Sequence, residues 1–155
     1  MVCMSSAFTN EDNFIEELPD RLISEHPNLV TEQGLALIEQ ALETARREYG
    51  EAQTADDREA LAKARRELRY WNARRATAQL RAPQSGTDAV QFGHAVTILR
   101  DDGRQQTFRI VGEDEADPTK GSISYVSPLA QALLGKHIGD TLRAGKDEAE
   151  ITAIG

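Results

Sequence analysis

The feature that most constrains this chain is a change of hydrophobic period part-way along it. Leu35, Ile38, Leu42, Ala45, Tyr49 and Ala52 recur at steps of three and four. That spacing is the seam of an amphipathic helix, and Thr31 just ahead of it has the chemistry of an N-cap. The pattern breaks near Gly50 to Ala55, resumes with Leu61, Ala64, Leu68 and Trp71, and fades past Ala78 toward Pro83. Two helices of similar length, each with one apolar seam and a short polar break between them, bury those seams against each other. The spacing therefore predicts an antiparallel helical hairpin, with arms of roughly 30 to 37 Å at about 1.5 Å per residue.

Beyond Pro83-Gln-Ser-Gly-Thr-Asp, a linker composition, the period switches to two. Ala95-Val-Thr-Ile-Leu and Thr107-Phe-Arg-Ile-Val flank a turn on Asp102-Gly103, which predicts a β-hairpin. Ser122-Ile-Ser-Tyr-Val follows as a third strand. Ser127 as N-cap, Pro128 at the first helical position and Gly135 at the C-terminal cap then frame a short helix. Thr141-Leu-Arg and Glu150-Ile-Thr-Ala-Ile complete a small module, and the fold class is α+β. Residues 1–29 show no sustained period and are expected to form an acidic, mostly extended arm, with Phe14, Ile15, Leu18, Leu22 and Ile23 available to dock it. The expected organisation is an arm (1–29), a hairpin stalk (30–81), a linker (82–89) and a C-terminal domain (90–155).

Charge distribution narrows the function classes. The chain of 155 residues has a net charge of -8, which argues against a protein that coats DNA. The charge is uneven: residues 1–30 carry six acids and one base, 31–82 nine acids and ten bases, and 83–155 eleven acids and seven bases. No apolar run approaches the roughly 18 residues of a membrane span, and the start has no signal-peptide pattern, so a cytoplasmic location is expected. One cysteine and three scattered histidines give no disulfide and no metal-ligand spacing. No catalytic residue, metal or cofactor is expected: His94 and His137 lack a serine or cysteine partner identifiable in the sequence and are assigned structural roles.

The candidate functional residues fall in three groups. Asp56, Asp57 and Glu59 lie at the break between the helices, where carboxylate oxygens suit a hard cation such as magnesium. They equally suit a capping box, with Asp56 as N-cap and Glu59 three residues on. Arg58, Arg65, Arg66 and Arg69 form a basic stripe on the second helix, able to contact nucleic-acid phosphates or to pair with Glu43, Glu48 and Glu67. Trp71, being on the seam, is assigned to the core. The run Glu113-Asp-Glu-Ala-Asp-Pro-Thr-Lys-Gly is an acidic loop of the C-terminal module.

These residues carry a resemblance. Leu29-Val-Thr-Glu-Gln-Gly-Leu-Ala-Leu-Ile-Glu resembles the entry motif of the GreA/GreB transcription elongation factors. Phe92-Gly-His-Ala-Val-Thr, Phe108-Arg-Ile-Val-Gly-Glu-Asp-Glu-Ala-Asp, Ile123-Ser-Tyr-Val-Ser-Pro-Leu-Ala-Gln-Ala-Leu-Leu-Gly-Lys and Gly139-Asp are similar to their C-terminal domain. The resemblance covers residues 29–155 and implies a coiled-coil stalk with an FKBP-like C-terminal domain. It further implies a monomer that binds bacterial RNA polymerase at its secondary channel, with the stalk directed toward the active centre and its basic face near nascent RNA. Asp114, Glu115, Asp117, Ser127, Pro128 and Leu129 are then the expected polymerase-binding surface.

The break differs from the family pattern. Cleavage-stimulating members carry an Asp and a Glu at the stalk tip in an Asp-Leu-x-Glu-Asn context, whereas this chain has Gln53-Thr-Ala-Asp-Asp-Arg-Glu-Ala-Leu and a shorter predicted hairpin. The expected function is a polymerase-binding regulator that does not stimulate transcript cleavage; an active cleavage cofactor is the alternative. A prolyl isomerase, suggested by an FKBP-like fold alone, ranks last. Residues 83–155 hold only three aromatics, Phe92, Phe108 and Tyr125, to line such a pocket.

Overall fold

The computed structural model describes residues 17–155. Chain contacts divide into two units, one joining residues up to Glu25 with Leu37–Thr77, the other joining His26–Ala36 with Ala78–Gly155. Phe14 and Ile15 lie outside the described residues.

The first unit is the helical hairpin. Helix α1 spans Glu32–Thr54 and α2 spans Arg58–Thr77. Three residues connect them, and Glu39 pairs with Arg75 at 3.1 Å while the Arg65 guanidinium lies 5.9 Å from the Tyr49 ring centroid. Early α1 thus faces late α2 and late α1 faces early α2, the antiparallel order. Within the unit α1 buries Ile38, Leu42, Ala45 and Ala52, and α2 buries Ala62 and Ala64, with Leu61, Leu68 and Trp71 half-buried. The break expected over Gly50 to Ala55 falls at the C-terminal end of that span: α1 runs through Gly50 to Thr54 and the helices part over 55–57. A single helical glycine costs only about 1 kcal/mol relative to alanine, less than the seam on either side returns.

Residues 17–25 have no regular structure but lie along α2. Leu22 is 96% exposed and Ile23 48%, so the expected apolar docking through these two does not occur. Polar contacts hold the segment instead, as described below.

The second unit is a five-stranded sheet with one short helix. Its strands are β3 (Ala95–Arg100), β4 (Gln105–Val111), β5 (Ser122–Ser124), β6 (Thr141–Ala144) and β7 (Asp147–Ile154), in the order β5-β4-β3-β7-β6. All neighbours are antiparallel except β4 and β5. The register slips between Thr97 and Ile98 opposite β7, a bulge that bends the strand and curls the sheet. Alternation places Val96, Ile98, Ile110, Leu142, Ala149 and Ile151 on one buried face, against Ala130 and Leu133 of helix α3 (Pro128–Leu133). The Ser127 hydroxyl accepts from the Ala130 N–H at 3.3 Å, Pro128 opens the helix, and Gly135 follows it at φ +82°, as the capping residues require.

Two dipeptides complete this unit. β1 (Leu29–Val30) and β2 (Gln79–Leu80) pair in parallel, so residues 26–36 and 78–81 group with the sheet rather than with a stalk of 30–81. Gly112 explains the closeness of β1. A Cβ there would stand 2.3 Å from the Leu29 carbonyl oxygen, so only glycine admits the backbone. The Tyr125 hydroxyl also donates to the Pro27 carbonyl, 98 positions away. The expected linker is tied down as well: Gln91 accepts from the Gln84 N–H at 2.8 Å, and the Pro83 ring lies 3.1 Å from where a Cβ on Gly93 would be.

Candidate functional site

The hairpin tip is built from consecutive backbone and side-chain caps. Asp56 has φ +51°, the left-handed conformation, the one non-glycine residue to do so among the described residues. Its N–H donates to Gln53 O at 3.3 Å, and the Asp57 N–H reaches back to Ala52 O at 3.1 Å. This pair of bonds ends α1, with Asp56 in the position usually taken by glycine or asparagine. Asp57 starts α2: its Oδ1 accepts from the Ala60 N–H at 3.2 Å and its carbonyl from the Leu61 N–H at 2.9 Å. The N-cap is thus Asp57 and not Asp56, and the residue three beyond it is Ala60, so the expected Asp56–Glu59 capping box does not form. Glu59 instead sits in the first turn of α2, where its charge complements the helix dipole. All three acids are exposed. Among the described residues no cluster of His, Cys, Asp or Glu is arranged to hold a metal ion.

The four arginines of the expected stripe meet different surroundings. Arg65 lies over Tyr49, and Arg66 is half-buried with its Nε enclosed and without a hydrogen-bond partner. Arg69 is exposed, and its Nε bonds the Asp20 carboxylate while its Nη2 donates to Leu18 O at 3.1 Å. Arg58 is exposed at the start of α2. Of the expected partners, Glu67 binds Arg21, which lies outside the stripe, at 2.7 Å; Arg69 takes Asp20 instead, and Glu39 pairs with Arg75, also outside the stripe. Sequence reasoning missed Arg21. Its guanidinium stacks 3.8 Å from the Tyr70 ring centroid, and a lone cation in an aperiodic segment carries no signal of such a contact.

In the second unit the acidic loop follows β4. Glu115 Oε2 accepts from the Thr31 hydroxyl at 2.5 Å, and that same hydroxyl oxygen accepts from the Gly34 N–H at 3.0 Å, capping α1. Asp117 is an N-cap too: its Oδ1 accepts from the Thr119 N–H at 3.1 Å and hydroxyl at 2.5 Å at the head of a 3-10 turn over Pro118–Lys120. The Thr119 hydroxyl, first, and its N–H hold the Asp117 carboxyl below its ordinary pKa. Asp114 and Leu129 are half-buried and Pro128 is exposed. The loop acids and the Ser127–Leu129 helix start thus belong to one unit, with Glu115 and Asp117 already engaged in caps.

A hairpin of two helices followed by a curled sheet with one helix defines an α+β protein with two structural units. The family model described as "Transcription elongation factor, GreA/GreB, C-term" matches residues 84–154. The chain is 36% identical over 140 residues to the transcription elongation factor GreA of Desulfovibrio desulfuricans, covering 89% of this chain and 83% of that protein. It is 40% identical over 95 residues to the transcription elongation factor GreB of Neisseria meningitidis serogroup B, covering 57% of this chain and 58% of that one. Among solved structures, the GreA factor homolog 1 protein of Thermus thermophilus is similar at 23% identity and a TM-score of 0.41, over 84% of this chain and 99% of that one. The chain belongs to the GreA/GreB family of transcription elongation factors. Among the described residues no helix is long and apolar enough to cross a membrane.

Proposed function

We propose that this protein is a monomeric cytoplasmic regulator of transcription that binds bacterial RNA polymerase at the secondary channel without stimulating transcript cleavage. Residues 90–155 make the docking contact, through Asp114, Glu115, Asp117, Ser127, Pro128 and Leu129, and the hairpin enters the channel. Its chemistry is that of occupancy: the chain supplies no catalytic residue, and the polymerase's own reaction is what it modulates. The basic face of α2 lies toward nascent RNA in that complex.

The observation that carries the reading is the use made of the tip acids. A carboxylate that delivers a metal ion must present its oxygens outward at about 2.1 Å from magnesium. Asp57 spends Oδ1 on the Ala60 N–H, and Asp56 serves as the left-handed residue that lets the chain reverse. The helices, at 23 and 20 residues, extend about 35 and 30 Å.

The alternative, an active cleavage cofactor, is favoured by one feature: Asp56, Asp57 and Glu59 are all exposed within four positions. A pull-down with purified RNA polymerase tests docking. Asp114→Lys is expected to weaken capture, more so at low salt, because like charges then face each other across the contact. Unchanged capture by a folded variant moves the docking surface elsewhere.

A further inference from the structure

The segment just before Glu25 occupies a face of α2 in a way that imitates a ligand. Asp20 bonds Arg69 Nε, and the Leu18 carbonyl accepts from Arg69 Nη2 at 3.1 Å, so an anion and a carbonyl sit where a phosphate and a sugar or base oxygen would. One residue on, the planar Arg21 guanidinium lies 3.8 Å from the Tyr70 ring centroid and 5.5 Å from that of Trp71. Its Nη1 donates to Glu67 Oε2 at 2.7 Å, the oxygen that also accepts from Trp71 Nε1 at 3.2 Å. An arginine at Arg69, a flat group on Tyr70 and a hydrogen-bonding chain between them are the elements by which proteins hold single-stranded nucleic acid: cation to backbone, aromatic face to base. The surrounding helix is strongly basic, with seven basic and two acidic residues in Arg58–Thr77.

We propose that residues 18–21 are a releasable strap over a single-stranded RNA site made by Arg69 and Tyr70, so that the protein's own arm and an RNA strand compete for one face of α2. This rests on the reading of α2 as the side that meets nascent RNA and adds where the strand binds and what regulates access. The strap is held weakly. Its ion pairs lie at the surface, with side-chain exposures of 44% and 72% for Arg69 and Asp20 and 38% for Arg21, against 22% for the half-buried Glu67. Such surface pairs each shift an equilibrium by less than about sixfold, so a polyanion that offers several phosphates displaces them.

The test uses the full chain without polymerase. The double substitution Asp20→Asn with Arg21→Ala removes one charge of each sign, so net charge is unchanged and any gain in affinity is not a bulk electrostatic effect. Binding of a labelled ten-nucleotide RNA is followed by anisotropy at low salt, and release of the strap by the emission of Trp71, the sole tryptophan of the chain. The double variant is expected to bind RNA about three- to tenfold more tightly than the parent chain and to show shifted Trp71 emission before RNA is added. Tyr70→Ala added to the double variant is expected to remove the gain while far-UV circular dichroism is retained. Shifted emission with equal RNA affinity in parent and double variant overturns the competition. RNA binding by neither protein overturns the site itself, and with it the nucleic-acid reading of α2, while leaving polymerase docking untouched.

Discussion

The Thr31 hydroxyl donates to Glu115 Oε2 at 2.5 Å while its oxygen accepts the Gly34 N–H at 3.0 Å, so one side chain caps α1 and ties that first turn to the loop after β4. Residues 84 positions apart are joined by a hydroxyl that bonds in both directions. Removing it in Thr31→Val is expected to cost about 1–2 kcal/mol, the loss of a cap together with a bond to a charged acceptor. Gly34 sharpens the test. A Cβ there would lie 2.8 Å from Glu115 Oε2. Gly34→Ala is therefore expected to be neutral or destabilising in the parent chain, yet to stabilise by about 0.5–1 kcal/mol in a Glu115→Ala background, where only helix propensity remains. Urea denaturation of the four proteins measures the coupling; additivity of the two substitutions would contradict it.

Gly112 makes a stronger demand, because the atom a Cβ would meet at 2.3 Å is backbone, the Leu29 carbonyl oxygen. A side-chain tip can swing away, whereas this carbonyl lies beside the β1–β2 pair. Gly112→Ala is expected to destabilise by about 2–3 kcal/mol, in the range of overpacked interiors. A thermal melt within a degree of the parent chain would show that β1 is free to move.

The two tip aspartates are expected to respond in opposite directions. Asp57→Ala removes the N-cap of α2 and should cost about 1 kcal/mol, while Asp57→Asn, which keeps the accepting oxygen, should cost little. Asp56→Gly relieves the left-handed strain at φ +51° and should be neutral or stabilising. Equal losses at both positions would mean that the caps are shared differently.

This tip also shows where a sequence is legible and where it is not. Ser127, Pro128 and Gly135 each satisfy one rule at one position, and the short helix falls where they place it. Asp56 and Asp57 both satisfy the N-cap rule. What separates them is which residue turns left-handed, a consequence of where the seam of α1 ends rather than of side-chain type. The β1–β2 pair is two residues long on each side and has no period to detect. The Thr31–Glu115 and Arg21–Tyr70 contacts depend on which segments the fold brings together, so neither has a local signature. In the candidate site, the residue types were readable and their engagements were not: the sequence singles out Glu115, Asp117 and Arg69, while their caps and strap contacts appear only in three dimensions.

A histidine gives a pH dependence of definite sign. His94 Nδ1 accepts the Gln91 N–H at 2.9 Å, and burial lowers the imidazole pKa from its ordinary 6.5. The folded protein thus favours neutral His94. Above about pH 6.5 this contribution is fully present, and below it the unfolded chain takes up a proton that the folded one resists, so stability falls as pH drops toward the lowered folded value. The urea midpoint is expected to be lower at pH 5.5 than at pH 7.5. His94→Asn, which keeps an accepting atom near Nδ1 and does not titrate, should flatten that difference; an undiminished difference would assign it to other groups.

The most direct measurement is a backtracked elongation complex of bacterial RNA polymerase supplied with this protein alone, with association followed in parallel by native gel. Docking without cleavage predicts a shifted complex that retains its full-length transcript. When an authentic cleavage factor is added, the protein is expected to slow it by occupying the same channel, and Asp56→Asn with Asp57→Asn should leave that competition nearly intact. Rapid release of short 3′ RNA fragments by the protein alone, abolished by the same double substitution, would contradict the account and make the tip acids metal-delivering groups.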